Sequence, residues 1–329
     1  MSLRWRHFFR RKSNLLALAL VLLFFVTAAL APSLAPPADP ENPSPFKMAG
    51  DPFDRLPHPP DVEHPLGTTP RRFDTPLFGV TPEQQARPQL DIYYTLIWGT
   101  RSALRFGLTV TLVTATFGIF VGLVSGYAGG FVDGVAMRVT DAFLTFPPIA
   151  AVWLFDRAVF STLIIDRFAP PPEPRPIQLL VSWLGLTPIM LALIVFSWMP
   201  YARIVNALAA QLRSAEFVVA ARALGASDRR IIVHHLFPNV IAPAIVLAAR
   251  DIGSMVILES AFTFIGLRGT VAWGVLLVAA RDYVIGIGGN PFAYWWTFLP
   301  VALALILFGV GWNLLGDGLN TMLNPYAGR

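Results

Sequence analysis

The chain has 329 residues, of which 55% are hydrophobic and only 14% charged, where a soluble domain carries about a quarter charged residues. Its apolar residues come in long blocks rather than periodic stripes, which excludes a water-soluble globule and calls for lipid as the solvent. There is no cysteine, so disulfides, thiol nucleophiles and thiolate metal sites are excluded, and the net charge of +5 lies mostly between apolar blocks, where it sets topology rather than building a nucleic-acid face.

A bilayer core about 30 Å thick needs roughly 20 apolar residues as helix. Residues 1–14 carry Arg4, Arg6, Arg10, Arg11 and Lys12 and no acid, which places this end in the cytoplasm. The first span follows from Leu15 to about Ala31, within a segment 15–36. Its small-residue end leaves a cleaved signal peptide open as an alternative, although the apolar run is long for one. Residues 37–100 form an outer loop, and the stretch 32–100 holds fifteen of the 29 prolines, so extended or irregular backbone is expected there. The core runs from 101 to 320. Its spans are expected at Phe106–Val132, Val139–Phe155, Ile177–Met199, Val240–Ile265 and Trp295–Leu315, with a cytoplasmic tail at 321–329. The expected fold is therefore all-α and polytopic, with about six transmembrane helices and both termini cytoplasmic. Gly118, Gly122 and Gly126 recur at four-residue spacing in the second span and allow close helix packing.

The most informative stretch is the cytoplasmic segment 200–239. Residues 215–224 are good helix formers, Gly225 permits a left-handed turn that stops the helix, and Ser227 is placed to cap a second helix from Asp228. Pro238 falls where the next span begins. Small Ala220, Ala221 and Ala223 let another protein's surface approach closely. The segment reads as a helix–turn–helix on the membrane face.

On these residues the chain resembles the inner-membrane permeases of binding-protein-dependent ABC importers. Their hallmark loop has an acid-Ala-Ala start, a Gly four residues after the second Ala and a Pro thirteen further on. Ala220, Ala221, Gly225 and Pro238 keep that spacing, whereas Val219 stands where the family has Glu, with Glu216 one turn earlier. Four more stretches are similar to the dipeptide, oligopeptide and nickel branch, second-permease type: His64-Pro-Leu-Gly-Thr68; Gly126 to Asp133 with Arg138, Asp141 and Phe146-Pro147; Leu258 to Gly266 with Trp273-Gly274; and Asn313 to Leu319 with Asn324-Pro325. Expanded segments at 69–92 and 156–176 depart from it. The resemblance implies a non-enzymatic transport subunit in a bacterial plasma membrane, forming half of a pathway for peptides, nickel chelates or similar solutes. It implies a second permease, two ATPase subunits and an external solute-binding protein as partners, and no cofactor. It also implies an ATPase-coupling site at Glu216, Ala220, Ala221, Gly225 and Pro238.

Arg250, Asp251 and Glu259 interrupt the fifth span. A charge at mid-bilayer costs about 2.5–3.5 kcal/mol on insertion scales, so these residues face the bundle interior or an aqueous path. They are candidates to line the pathway, with structural pairing as the other reading. No phosphate loop surrounds Lys12 or Lys47, so ATP hydrolysis is assigned to a separate subunit. His234 and His235 point about 100° apart on a helix and make a poor metal pair. A stand-alone channel or carrier would leave the loop unexplained and shows no inverted repeat. A membrane-embedded enzyme would need a cluster of reactive groups beyond the fifth span.

Overall fold

The computed structural model describes residues 8–37, 39–41, 43–50, 55–71, 89–159, 184–267, 269, 271–284, 290 and 292–323. Of the expanded segments singled out in the sequence, 72–88 of the first and 160–176 of the second lie outside these residues, as does Asn324-Pro325. The chain divides into two compact units. One holds 109–251 with the two ends of the chain, and the other holds 12–108 and 252–315.

The second unit begins with α1 (Lys12–Leu34). This helix buries Ala17, Val21, Phe24, Ala28 and Ala31 and leaves Leu15, Leu16, Leu22, Leu23, Val26 and Leu30 exposed. A helix so apolar on its exposed side is at rest only against lipid. Phe24 meets the rings of Trp273 and Phe308 edge-on, with centroids at 5.8 and 5.1 Å. Three short strands, β1 (Met48–Ala49), β2 (Thr68–Pro70) and β3 (Gln89–Asp91), form an antiparallel sheet in the order β1-β3-β2. This sheet is an addition to the irregular backbone expected of the proline-rich loop. The prolines confine it to two- and three-residue strands. Asp91 ends the sheet and caps α2 (Ile92–Ala128), accepting from the Tyr94 amide at 3.0 Å.

α2 starts fourteen residues before the expected span, because Arg101 and Arg105 do not interrupt it. The Arg101 Nε donates to the Ala28 carbonyl of α1 at 2.7 Å, and its guanidinium lies 5.0 Å from the Trp98 ring centre. A nine-residue helix, α10 (Ala272–Ala280), is almost wholly buried in this unit. It is too short to span a membrane, so the search for 20-residue runs passed over it.

In the first unit the third expected span is broken in two. α3 (Gly130–Leu144) stops before Phe146-Pro147, and α4 (Pro148–Val159) restarts with proline at its first position. Proline disfavours helix in the residue before it and suits a first turn. Of the fourth expected span, Ile177–Met199, residues 177–183 lie outside the described residues, and its far end lies beyond Met199. α5 (Pro188–Phe196) and α6 (Met199–Leu212) together make a stretch of 25 residues long and apolar enough to cross. Pro200 reads as a terminator, yet at the second position of α6 it costs no hydrogen bond. The segment between spans is therefore shorter than the 200–239 expected.

Gly118, Gly122 and Gly126 explain the seam between α2 and α6. A Cβ at each would stand 2.4, 2.4 and 2.6 Å from the carbonyl oxygens of Trp198, Ala202 and Asn206. α7 (Glu216–Ala223) and α8 (Asp228–Arg230) follow, then a π-helical turn over Ile231–Leu236 and α9 (Phe237–Phe264). Pro238 has no amide to give and crowds the preceding turn, and the wider π turn accommodates both. The last helix, α11 (Trp295–Leu323), extends eight residues past the expected end. In all, five helical stretches among the described residues are long and apolar enough to span.

Candidate functional site

The helix–turn–helix expected from sequence is α7, its turn and α8. Val218 is completely buried and anchors α7 in an apolar cluster with Tyr127, Val205, Ala209, Ile231 and Leu236. The other side of α7 points outward. Phe217 is 43% exposed, Val219 52% and Leu224 89%, and Glu216, Ala220 and Ala223 are exposed beside them. Ala221 is half-buried. Exposed apolar side chains on a segment rich in arginine make a contact surface in chemistry.

The turn closes by two backbone bonds. The Gly225 amide donates to the Arg222 carbonyl, and the Ala226 amide to the Ala221 carbonyl, both at 3.0 Å. This is the Schellman pattern, which needs a left-handed residue at the position of Gly225; its φ is +80°. A Cβ there would meet nothing within 4 Å, so backbone conformation alone demands glycine. Ser227 stands at the N-cap of α8 as expected, but its side chain makes no capping bond.

A different residue braces the turn. Tyr127, next to last in α2, donates its hydroxyl hydrogen to Asp228 Oδ1 and accepts from Arg222 Nη2 at 3.1 Å. The Arg222 guanidinium also lies 5.7 Å from the centre of the Tyr127 ring. That bond raises the Arg222 pKa above its ordinary value, and the guanidinium is a cation in any case. One turn away, Asn206 Nδ2 donates to Ser125 Oγ at 2.9 Å and to Asp133 Oδ1 at 2.6 Å. Gly129 has φ +66°, and a Cβ there would fall 1.7 Å from Arg213 Nη1. The stretch Gly126–Asp133 thus meets α6 and its C-cap through Gly126, Gly129 and Asp133, and the helix–turn–helix through Tyr127. Sequence reasoning quoted this stretch as a pattern but gave no role to Tyr127, Arg222, Asp228 or Asn206. The signal was a tyrosine beside a run of glycines, with no indication of which distant residue it would meet.

The charged residues of α9 have separate partners. Arg250 is ion-paired with Asp317 of α11. Asp251 accepts from the Tyr201 hydroxyl of α6 at 2.7 Å. Glu259 belongs to the other unit and is completely buried. Its Oε1 accepts from the Val271 amide at 3.0 Å and from the Thr263 hydroxyl at 3.3 Å. Val271 is the N-cap of α10, so the carboxylate sits where the helix dipole favours negative charge. Among the described residues no three His, Cys, Asp or Glu side chains gather as a metal site.

Comparison with known proteins adds to this geometry. The family model described as the binding-protein-dependent transport system inner membrane component matches residues 118–327. A second, described as the N-terminal TM domain of oligopeptide transport permease C, matches residues 1–57. The nickel transport system permease protein NikC of Escherichia coli is 33% identical over 239 residues, 72% of this chain and 76% of that protein. The dipeptide transport system permease protein DppC of Alkalihalophilus pseudofirmus is 28% identical over 328 residues, 98% of this chain and 90% of that protein. The oligopeptide transport system permease protein OppC of Mycobacterium tuberculosis is 28% identical over 323 residues, 97% and 92% of the two chains.

Proposed function

The chain belongs to the family of inner membrane components of binding-protein-dependent transport systems, and from that membership we propose that its helix–turn–helix at 216–238 is the docking site for the ATPase that drives transport. As a permease subunit of an ABC importer it is a multi-pass membrane protein, and ATP hydrolysis belongs to a separate subunit. An ATPase and a solute-binding protein are its partners in such a system. In the proposed assembly a second permease completes the pathway and two ATPase copies sit on the cytoplasmic side, with both termini of this chain on that side. The solute is a peptide, a nickel chelate or a similarly small molecule, in keeping with the names of the relatives.

The observation that carries the docking role is the exposure of Phe217, Val219 and Leu224 on a helix whose inner face is pinned by Val218. A helix free to present apolar side chains, yet fixed to the spans behind it, can take up a push from a partner and pass it on. Glu216, Ala220, Ala221, Gly225 and Pro238 shape this element. Glu216 opens it, the two alanines keep it low, Gly225 turns it, and Pro238 joins it through the π turn to α9. Arg250 and Asp251 are the proposed pathway residues, since each is paired but keeps part of its surface open. For Glu259 the support favours the structural alternative, a tie between α9 and α10.

Affinity purification from detergent-solubilised native membranes tests the docking role. Tagged wild-type chain is expected to recover the ATPase. Gly225→Pro, which removes a turn hydrogen bond and fixes φ near −65°, is expected to lose it while still inserting in the membrane. Equal recovery with both would overturn the assignment.

A further inference from the structure

The geometry points to Tyr127 as a positioning residue, a clasp that holds the docking helix at a fixed angle to the membrane spans; this rests on the docking role proposed above. The chemistry of the three groups fixes the direction of the bonds. A guanidinium can only donate and a carboxylate can only accept. The phenol oxygen lies between them and does both, accepting from Arg222 and donating to Asp228. Arg222 stands before the turn and Asp228 after it, so one hydroxyl joins the two limbs of the helix–turn–helix. That hydroxyl is carried by the end of α2, the helix whose glycines lock onto α6.

The turn has little else to hold it. Leu224 is 89% exposed, a Cβ on Gly225 would touch nothing, and Ser227 makes no side-chain cap. Apart from the two backbone bonds, the fixed points are Val218, Ala226 and Ile231, which pack in one apolar cluster. These resist separation but not rotation about the helix axis, because apolar contact is not directional. Hydrogen bonds are directional, and the ring of Tyr127 is itself 91% buried, its relative exposure being 9%. The clasp therefore sets the angle at which Phe217, Val219 and Leu224 meet the ATPase. Opening it spreads the loop over orientations that cannot dock, and the apparent affinity falls by the fraction that remains competent.

The test measures binding of the purified ATPase subunit to the permease pair in lipid nanodiscs, comparing five forms of this chain. Tyr127→Phe keeps the ring and loses both bonds. Asp228→Ala removes the acceptor, whereas Asp228→Asn keeps an acceptor oxygen. Leu224→Asp spoils the docking surface itself. The clasp predicts that Tyr127→Phe and Asp228→Ala each weaken binding by about fivefold, that Asp228→Asn restores binding close to wild type, and that the thermal stability of the nanodisc-embedded pair stays unchanged. Wild-type affinity in Tyr127→Phe, with binding lost in Leu224→Asp, would overturn the clasp and leave the docking role standing. Weakening in Asp228→Asn equal to that in Asp228→Ala would also overturn it, since charge rather than hydrogen bonding would then be the cause. Unchanged binding in Leu224→Asp would remove the docking role, and the clasp's function with it.

Discussion

Glycines of this chain that look alike in sequence do three different jobs, and substitution separates them. At Gly118, Gly122 and Gly126 a methyl group would enter the backbone of α6, so alanine at any one of them is expected to cost about 1–3 kcal/mol through overpacking. Gly134 lies in the interior of α3 with open space around it, and alanine there is expected to stabilise by about 0.5–1 kcal/mol through helix propensity. Melting of the detergent-purified protein checks both signs; a loss at Gly134 as large as that at Gly122 would contradict the packing argument. Gly225 is the third kind. Its φ of +80° makes alanine mildly strained and asparagine acceptable, whereas proline is excluded. The spacing of the first group was legible because close helix approach needs small residues at regular intervals. The need at Gly225 was legible because a turn ends a helix. Tyr127 was not, because its partners are 95 and 101 residues away in sequence.

Among the elements, the sequence resolved the long helices and misread the interrupted ones. Runs of apolar residues give α1, α9 and α11 to within a few residues at their starts, since nothing but a spanning helix satisfies twenty such residues. Prolines caused the errors. Pro147 and Pro148 split the third span at a point that hydropathy cannot see, and Pro200 looked like an end while serving as a beginning. Short α10 was missed because burial inside the protein, rather than passage through lipid, explains its composition. That helix also bears on Glu259, whose carboxylate accepts from the Val271 amide at its N-terminus. Glu259→Ala leaves a buried amide without that acceptor and is expected to cost about 1–3 kcal/mol, with Glu259→Gln costing less because an amide oxygen can still accept. Thermal melting of the two variants decides the matter. A Glu259→Ala protein that melts like wild type but transports nothing would return Glu259 to the pathway.

At the scale of the whole molecule, the account is of a membrane subunit that does no covalent chemistry. In the proposed assembly it presents one element, α7 with its turn, to the ATPase that supplies the energy. Membership of the family was legible from several short patterns in the right order. The three-stranded sheet was not, since its strands are two or three residues long and lie among prolines. The absence of cysteine permits a direct test. A single cysteine is introduced by Val219→Cys on α7 or, as a control, by Glu63→Cys between β1 and β2, and each is exposed to a thiol-specific crosslinker in the assembled transporter in native membranes. The account predicts that Val219→Cys is joined to the ATPase subunit and that Glu63→Cys is not. A Val219→Cys chain that is folded and abundant in those membranes but never joined to the ATPase would contradict it.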